Sequence, residues 1–218
     1  MSLNILIFLG SVRESTPPRP ARLGERVAKA CLSRLEETSE HVTIIDPLDI
    51  TTQKPFKPHF AYAESKAPED LENLARQIEQ ADAYVMVSPE YNHSMSPALA
   101  DLLNHFGSSL FSYKPSAIVT YSAGQWGGAR AGVAMRTFLS ELGCLPVSAM
   151  IQIPKAQEVL DENGAFLEGE DTDKWHGYFD RTFAQLNWWG RAAQHQRSIK
   201  DDSLPQAFKK DPSQRNAP

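Results

Sequence analysis

The sequence predicts an α/β fold, a doubly wound three-layer sandwich around a five-stranded parallel sheet of order 2-1-3-4-5. Three observations predict it. Apolar runs recur along the chain with stretches of helical period between them, the pattern of parallel strands covered on both faces. The chain has 218 residues and is 41% hydrophobic, enough for one sizeable core. Right-handed crossovers then leave few ways to order five strands joined by helices.

Taken in order, residues 5–9 (ILIFL) read as the first strand, followed after a loop by a helix over about 23–35. Residues 42–45 form the second strand. The stretch 49–67, with three aromatics, two prolines and no period of either kind, reads as a long surface excursion of the type that is often functional or mobile. Pro68 opens a helix over 69–80 with two acids in its first turn, where they suit the helix dipole. The third strand covers 83–87. Ser96 and Pro97 supply an N-cap and a first-turn proline to a helix reaching about 106, with Leu99, Leu102, Leu103 and Phe106 on one face. The fourth strand is 117–121, and a helix over 129–142 ends at Gly143. After a fifth strand at 147–153, Asp171 or its neighbours cap a long last helix carrying Trp175, Phe179, Phe183, Leu186 and Trp189. The aromatic group Phe183, Trp188 and Trp189 reads as packing, in the core or on an oligomer surface, rather than a substrate box. One domain over 1–196 is expected, followed by a polar, disordered tail over 197–218.

Charge and cysteine usage narrow the function classes. With 22 Lys and Arg against 27 Asp and Glu, the net charge of −5 argues against nucleic acid or an anionic membrane as partner, because both are held by clustered basic residues. A bound phosphate would have to be held locally. Cys31 and Cys144 stand far apart inside apolar segments, as buried reduced thiols do, and no leader or spanning segment is read at the start. A cytoplasmic protein is expected.

In a sheet of this order, ligands lie at the carboxyl edge where the strand order reverses, between strands 1 and 3. Three loops should meet there. The first begins Gly10-Ser11-Val12-Arg13-Glu14-Ser15 and leads to a helix N-terminus. Backbone N–H groups and the helix dipole favour one terminal phosphate, with Ser11, Ser15 and an arginine adding charge-assisted bonds. Arg13, Arg19 and Arg22 are all candidates for that arginine. No G-x-G-x-x-G is present to admit a dinucleotide pyrophosphate. The third loop, Pro89-Glu90-Tyr91-Asn92-His93-Ser94, is longer than a helix cap requires and can present successive backbone donors to a flat heterocycle. The fourth, Tyr121-Ser122-Ala123-Gly124-Gln125-Trp126-Gly127-Gly128, sets glycines around a tryptophan and lets backbone pass close to a planar ligand. Trp126 packing on the core is the alternative.

Together, Gly10-Ser11-x-Arg13, Pro89-Glu90-Tyr91-Asn92 and Ser122-x-Gly124-x-x-Gly127-Gly128-x-Arg130 resemble the NAD(P)H-dependent FMN reductases of the flavodoxin-like fold, which include quinone, azo-dye and chromate reductases. The resemblance runs from about 4 to 159, and its most specific part is Pro-Glu-Tyr-Asn. It departs from the family in the proline-rich insertion 16–21 and in Gln125-Trp126. It implies one noncovalent FMN per subunit, NADPH or NADH as reductant, and a homodimer or homotetramer. It places Ser11, Arg13 and Ser15 at the phosphate, Pro89, Glu90, Tyr91 and Asn92 at the pyrimidine edge, and Ser122, Gly124 and Gly127 on the other side of the ring; the reading of the loops themselves adds Gly10, Arg22 and Trp126 as cofactor-binding candidates.

The expected activity is hydride transfer from NAD(P)H through FMN to a quinone, free flavin or similar small acceptor, in ping-pong fashion. No catalytic side chain and no metal ligand is expected, because hydride chemistry belongs to the cofactor at its N5. A flavodoxin-type electron carrier is one rival; an FMN-bound oligomer acting through redox-dependent protein contacts is another.

Overall fold

The computed structural model describes residues 2–13, 22–38, 40–52, 55–63 and 66–199. Five parallel strands, β1 (Asn4–Leu9), β2 (His41–Ile45), β3 (Ala83–Pro89), β4 (Pro115–Tyr121) and β5 (Leu145–Ile153), form one sheet of order β2-β1-β3-β4-β5. Every pairing is parallel, with Ile7 opposite Ile44 on one side and Val85 on the other. The predicted sheet and its order are those observed.

Seven α-helices accompany it among the described residues: α1 (Leu23–Glu36), α2 (Glu69–Gln80), α3 (Pro97–Asn104), α4 (Ser108–Phe111), α5 (Ala129–Leu142), α6 (Ala156–Val159) and α7 (Thr172–Ser198). Side chains alternate across a strand, so β1 splits its apolar residues between two cores. Ile5, Ile7 and Leu9 meet Val27, Cys31 and Leu35 of α1 and Phe179, Phe183 and Leu186 of α7. Leu6 and Phe8 meet Leu71 and Leu74 of α2, Leu99 and Leu102 of α3, and Met135 and Leu139 of α5. This two-sided burial is why the strands read as apolar runs.

Three details differ from the sequence reading. The helix expected to reach 106 stops at Asn104 and restarts as α4, because Gly107 adopts an extended conformation between them. Of the aromatic group on α7, Phe183 is core, whereas Trp188 and Trp189 are exposed and pack edge-on against each other. At 100° per residue, positions 183, 186 and 190 share the inward face and 188 and 189 turn away from it. Finally, α7 runs through Ser198, two residues beyond the expected domain end, held there by Arg197, whose guanidinium bonds to Asp82 and to the Tyr113 carbonyl. Residues 200–218 of the expected tail lie outside the described residues.

The described part of the 49–67 excursion lies on the surface and is tied down at His59. His59 donates its N–H to the His105 carbonyl and pairs with Glu72, and the Phe56 ring lies 4.5 Å from that of His105. The chain leaving β2 is thereby fastened to the C-terminal end of α3 and to α2.

Phe8 is fully buried, with the Tyr84 and Phe111 rings at 6.1 and 6.4 Å. Phe8→Ala should lower the unfolding free energy by about 3–5 kcal/mol, the range for a deleted core aromatic. Urea denaturation measures it; a loss below ~1 kcal/mol would mean the α2–α3 face is loosely packed.

Candidate active site at the carboxyl edge

Loops after β1, β3 and β4 converge at one edge, as their strands require. The first is strapped to its neighbour: Gly10 donates its N–H to Val87 O at 2.7 Å, and a Cβ on Gly10 would stand 2.5 Å from that same oxygen. Only glycine lets the chain leave β1 this close to β3. Ser11 is buried and Arg13 partly exposed, its guanidinium carbon 5.5 Å from the centre of the Tyr91 ring. The first and third loops therefore touch. Ser15 and Arg19 lie outside the described residues.

Arg22 is the N-cap residue of α1, and its side chain makes no capping bond to that helix. In the first turn of α1 the Glu25 N–H already donates to the Arg22 carbonyl at 3.0 Å; the N–H groups of Leu23 and Gly24 have no acceptor among the described residues and suit an anion. Arg22 does not itself reach out. It is buried, donates from Nη1 to the Ser11 carbonyl at 2.9 Å, and forms an ion pair with Asp46 at the end of β2. A guanidinium so engaged holds the first loop in place; among the described residues, Arg13 is the arginine left to meet a ligand.

The third loop is a two-residue β-hairpin. Tyr91 and Ser94 exchange N–H···O bonds, both 3.0 Å, with Asn92 and His93 at φ 52° and 63° between them. Two successive left-handed residues make a type I′ turn, which suits asparagine and strains histidine. The Glu90 N–H donates to Tyr121 O, and the N–H groups of Tyr91 and Ser94 are used within the turn. The row of free donors expected from this loop is thus reduced to its tip, Asn92 and His93. Ser96 caps α3 as predicted, accepting from the Ala98 N–H at 3.1 Å.

Glu90 is turned inward. Its carboxylate accepts from the backbone N–H groups of Arg130 (3.0 Å) and Ala131 (3.2 Å) in the first turn of α5, and from His93 Nδ1 at 2.9 Å. Burial opposes ionisation, but the His93 bond, the two backbone donors and the Arg130 guanidinium outweigh it and hold the carboxyl below its ordinary value. One carboxylate thus clamps the third loop to the fourth.

The fourth loop runs into α5 through Gly127 and Gly128, both at positive φ. Thr120 Oγ1 donates to the Gly127 carbonyl at 2.8 Å, and a Cβ on Gly128 would meet Thr120 Cβ at 2.8 Å. Gly124 instead faces open space, with nothing within 4 Å of where its Cβ would be. Trp126 is 62% exposed, with the Arg130 guanidinium 5.6 Å over its ring. It does not pack on the core. Ser122 donates its hydroxyl to the Gly124 carbonyl at 2.7 Å.

Sequence reasoning missed a fourth contributor, the turn after β5. Lys155 N–H donates to Gly124 O, Ala156 N–H to Ser122 O, and Gln157 Nε2 to Ala123 O, all within 2.9–3.0 Å. Lys155 sits at φ 46° to make this fit. The only available signal was that strand 5 must end at the same edge. The fourth loop is thus braced by three hydrogen bonds.

Residues 3–158 match the family described as NADPH-dependent FMN reductase. An NAD(P)H-dependent FMN reductase of Pseudomonas aeruginosa is 33% identical over 128 residues, covering 57% of this chain and 67% of its own length. A quinone reductase of Escherichia coli K12 is 30% identical over 173 residues, 73% of this chain and 86% of the relative. Among solved structures, FerB of Paracoccus denitrificans, an NAD(P)H:acceptor oxidoreductase, superposes with a TM-score of 0.66 at 19% identity, covering 85% of this chain and 98% of that one.

Glu90→Gln removes the charge that holds both loops and should destabilise the protein by about 1 kcal/mol at neutral pH, the cost of weakening a half-buried charge-assisted acceptor that solvent partly screens. Because the folded-state value is depressed, the stabilisation is complete above the ordinary carboxyl range and is lost as pH falls through the lower folded value. The gap in denaturation midpoint between wild type and Glu90→Gln should therefore shrink below about pH 4. A gap that stays constant into strong acid would show that the carboxylate's charge contributes nothing.

Proposed function

Because the chain belongs to the NADPH-dependent FMN reductase family and is an FMN-dependent oxidoreductase, we propose that it passes hydride from NAD(P)H to a quinone or similar small acceptor. Hydride acceptance and release are the chemistry that FMN supplies when bound. The observation that carries the reading is the meeting of a helix N-terminus, a serine and an arginine at one end of a site whose other end is an open glycine loop.

The residues fit that group on grounds independent of the family. A phosphate monoester needs local donors, and Ser11, Arg13 and the first turn of α1 supply them without Arg22, whose charge Asp46 already matches. A flat ring needs backbone without Cβ atoms in its path. Gly124 provides that opening, and the Ser122 and Lys155 bonds keep the loop from collapsing into it. Tyr91 and Asn92 face the ring from the third loop, with the tip N–H groups as donors to a pyrimidine edge that gains negative charge on reduction. Glu90 acts at one remove, by fixing both loops. Trp126 and Arg130 border the open side, where the two substrates would enter in turn at one site. That shared opening is the ground for a ping-pong order. No described helix is long and apolar enough to cross a membrane; a cytoplasmic homodimer or homotetramer is the form we propose.

An anaerobic spectrum tests this directly. The purified protein should be yellow, bleach on NADPH or NADH and recover its colour with a benzoquinone. Accumulation of a stable one-electron radical would favour the carrier, and a chain that stays colourless after incubation with FMN would refute the reading. Arg13→Ala or Ser11→Ala should each cut FMN retention through gel filtration by roughly tenfold, the loss of one charge-assisted bond.

A further inference from the structure

At the amino edge of the sheet, the end away from the candidate active site, the last turns of α7 pass the starts of β4 and β5 and leave a cavity of about 780 Å³, within the range of small-molecule sites. Its apolar wall includes Pro115 and Leu145, the first residues of the two strands, and Trp189 of α7. Leu145 is 50% exposed and Trp189 43%. Large apolar side chains left uncovered around one hollow mark a place where something binds.

Charge narrows the occupant. The residues lining the cavity include Lys114 and Arg197 and no acid, in a chain whose net charge is −5. The two cations differ in what they can give. Lys114 Nζ donates to the carbonyls of Ile78 (2.6 Å), Glu79 (2.7 Å) and Leu110 (3.0 Å), so its three N–H groups are all used. These acceptors are neutral, and the positive charge persists in a buried residue. Arg197 donates from Nη1 to the Tyr113 carbonyl at 2.8 Å and from Nη2 to Asp82 at 2.6 Å, two of the five N–H groups that a guanidinium carries. Those bonds fix the guanidinium plane at the cavity wall and leave it further donors. Tyr113 is held at φ 64°, a left-handed conformation that costs a non-glycine residue energy and tends to occur at ligand sites. Asp82 offsets Arg197, and the Lys114 charge is left over.

We propose that this cavity is a second ligand site, for an aromatic carboxylate: the ring lies on Trp189 beside Pro115 and Leu145, and the carboxylate accepts from Arg197 next to the Lys114 ammonium. A neutral aromatic would leave that charge unmet in an apolar setting, and a small inorganic anion would leave the apolar wall bare; an anion with a flat apolar body answers both. The proposal does not depend on the FMN reading, because no residue of the carboxyl-edge loops lines the cavity.

The test is to titrate the full chain, with FMN added, against 2-naphthoate and against the uncharged 2-naphthalenemethanol, following heat and tryptophan fluorescence. Naphthoate should saturate the site below about 1 mM and bind about tenfold more tightly than the alcohol, the effect of one charge-assisted bond. Arg197→Gln should bring the two ligands within about twofold of each other. Ala193→Phe adds a ring to the α7 wall and alters neither cation. It should abolish binding of both ligands while leaving FMN content and the urea midpoint unchanged, and it keeps the test open should Arg197→Gln fail to fold. Naphthoate that binds Ala193→Phe as it binds wild type, that FMN displaces, or that binds no better than the alcohol would overturn the proposal. So would binding that occurs only in a chain ending at Ile199, which would make residues 200–218 the occupant, or a naphthoate-induced fall in sedimentation coefficient, which would make it a second copy of the chain.

Discussion

Backbone hydrogen bonding in a sheet whose strands all run the same way is the constraint on which the rest of this molecule depends. A parallel ladder sends every strand's carboxyl end to one edge, and each return must cross over a face. Since β1 lies between β2 and β3, crossovers leave it on opposite sides, and the loops after β1 and β3 part to open a crevice. The two cores exist to hold that arrangement. Leu9 and Val87 pair at the end of their ladder, and the next link is the Gly10 N–H on the Val87 carbonyl. The site therefore starts at the residue where the ladder stops.

Loops at such an edge have no ladder to define them, and here polar bonds take over. Asp46 fixes Arg22, and Arg22 fixes the Ser11 carbonyl. Glu90 ties the third loop to the start of α5, and the turn after β5 holds three carbonyls of the fourth loop. These partners are mostly buried or half-buried, where an unpaired group costs more than the bond contributes. Strain is accepted in return: Asn92, His93 and Lys155 occupy left-handed conformations that only surrounding contacts can sustain. A planar ligand with an anionic end benefits from this, because a preorganised site spends little of its binding energy on ordering.

The division of labour among charged groups follows from depth. Arg22 and Glu90 are neutralised by protein partners and serve as structure. Arg13 and Arg130 stand near the surface over the Tyr91 and Trp126 rings, and Arg130 also lies 3.6 Å from the Glu90 carboxylate.

Much of this was legible without coordinates. The strands, their order, the capping Ser96 and the edge where three loops meet follow from period, punctuation and handedness, which are local properties or simple topological rules. The match of loop residues to a reductase family was equally local, since Pro89 to Asn92 are contiguous. What the sequence could not decide was direction and partnership. Whether Glu90 faces a ligand or α5, and whether Arg22 is free or paired with Asp46, are relations between residues 24 to 41 positions apart. No periodicity encodes them. They are settled by which groups the folded sheet brings within about 3 Å of each other, and by the cost of leaving any one of them buried without a partner.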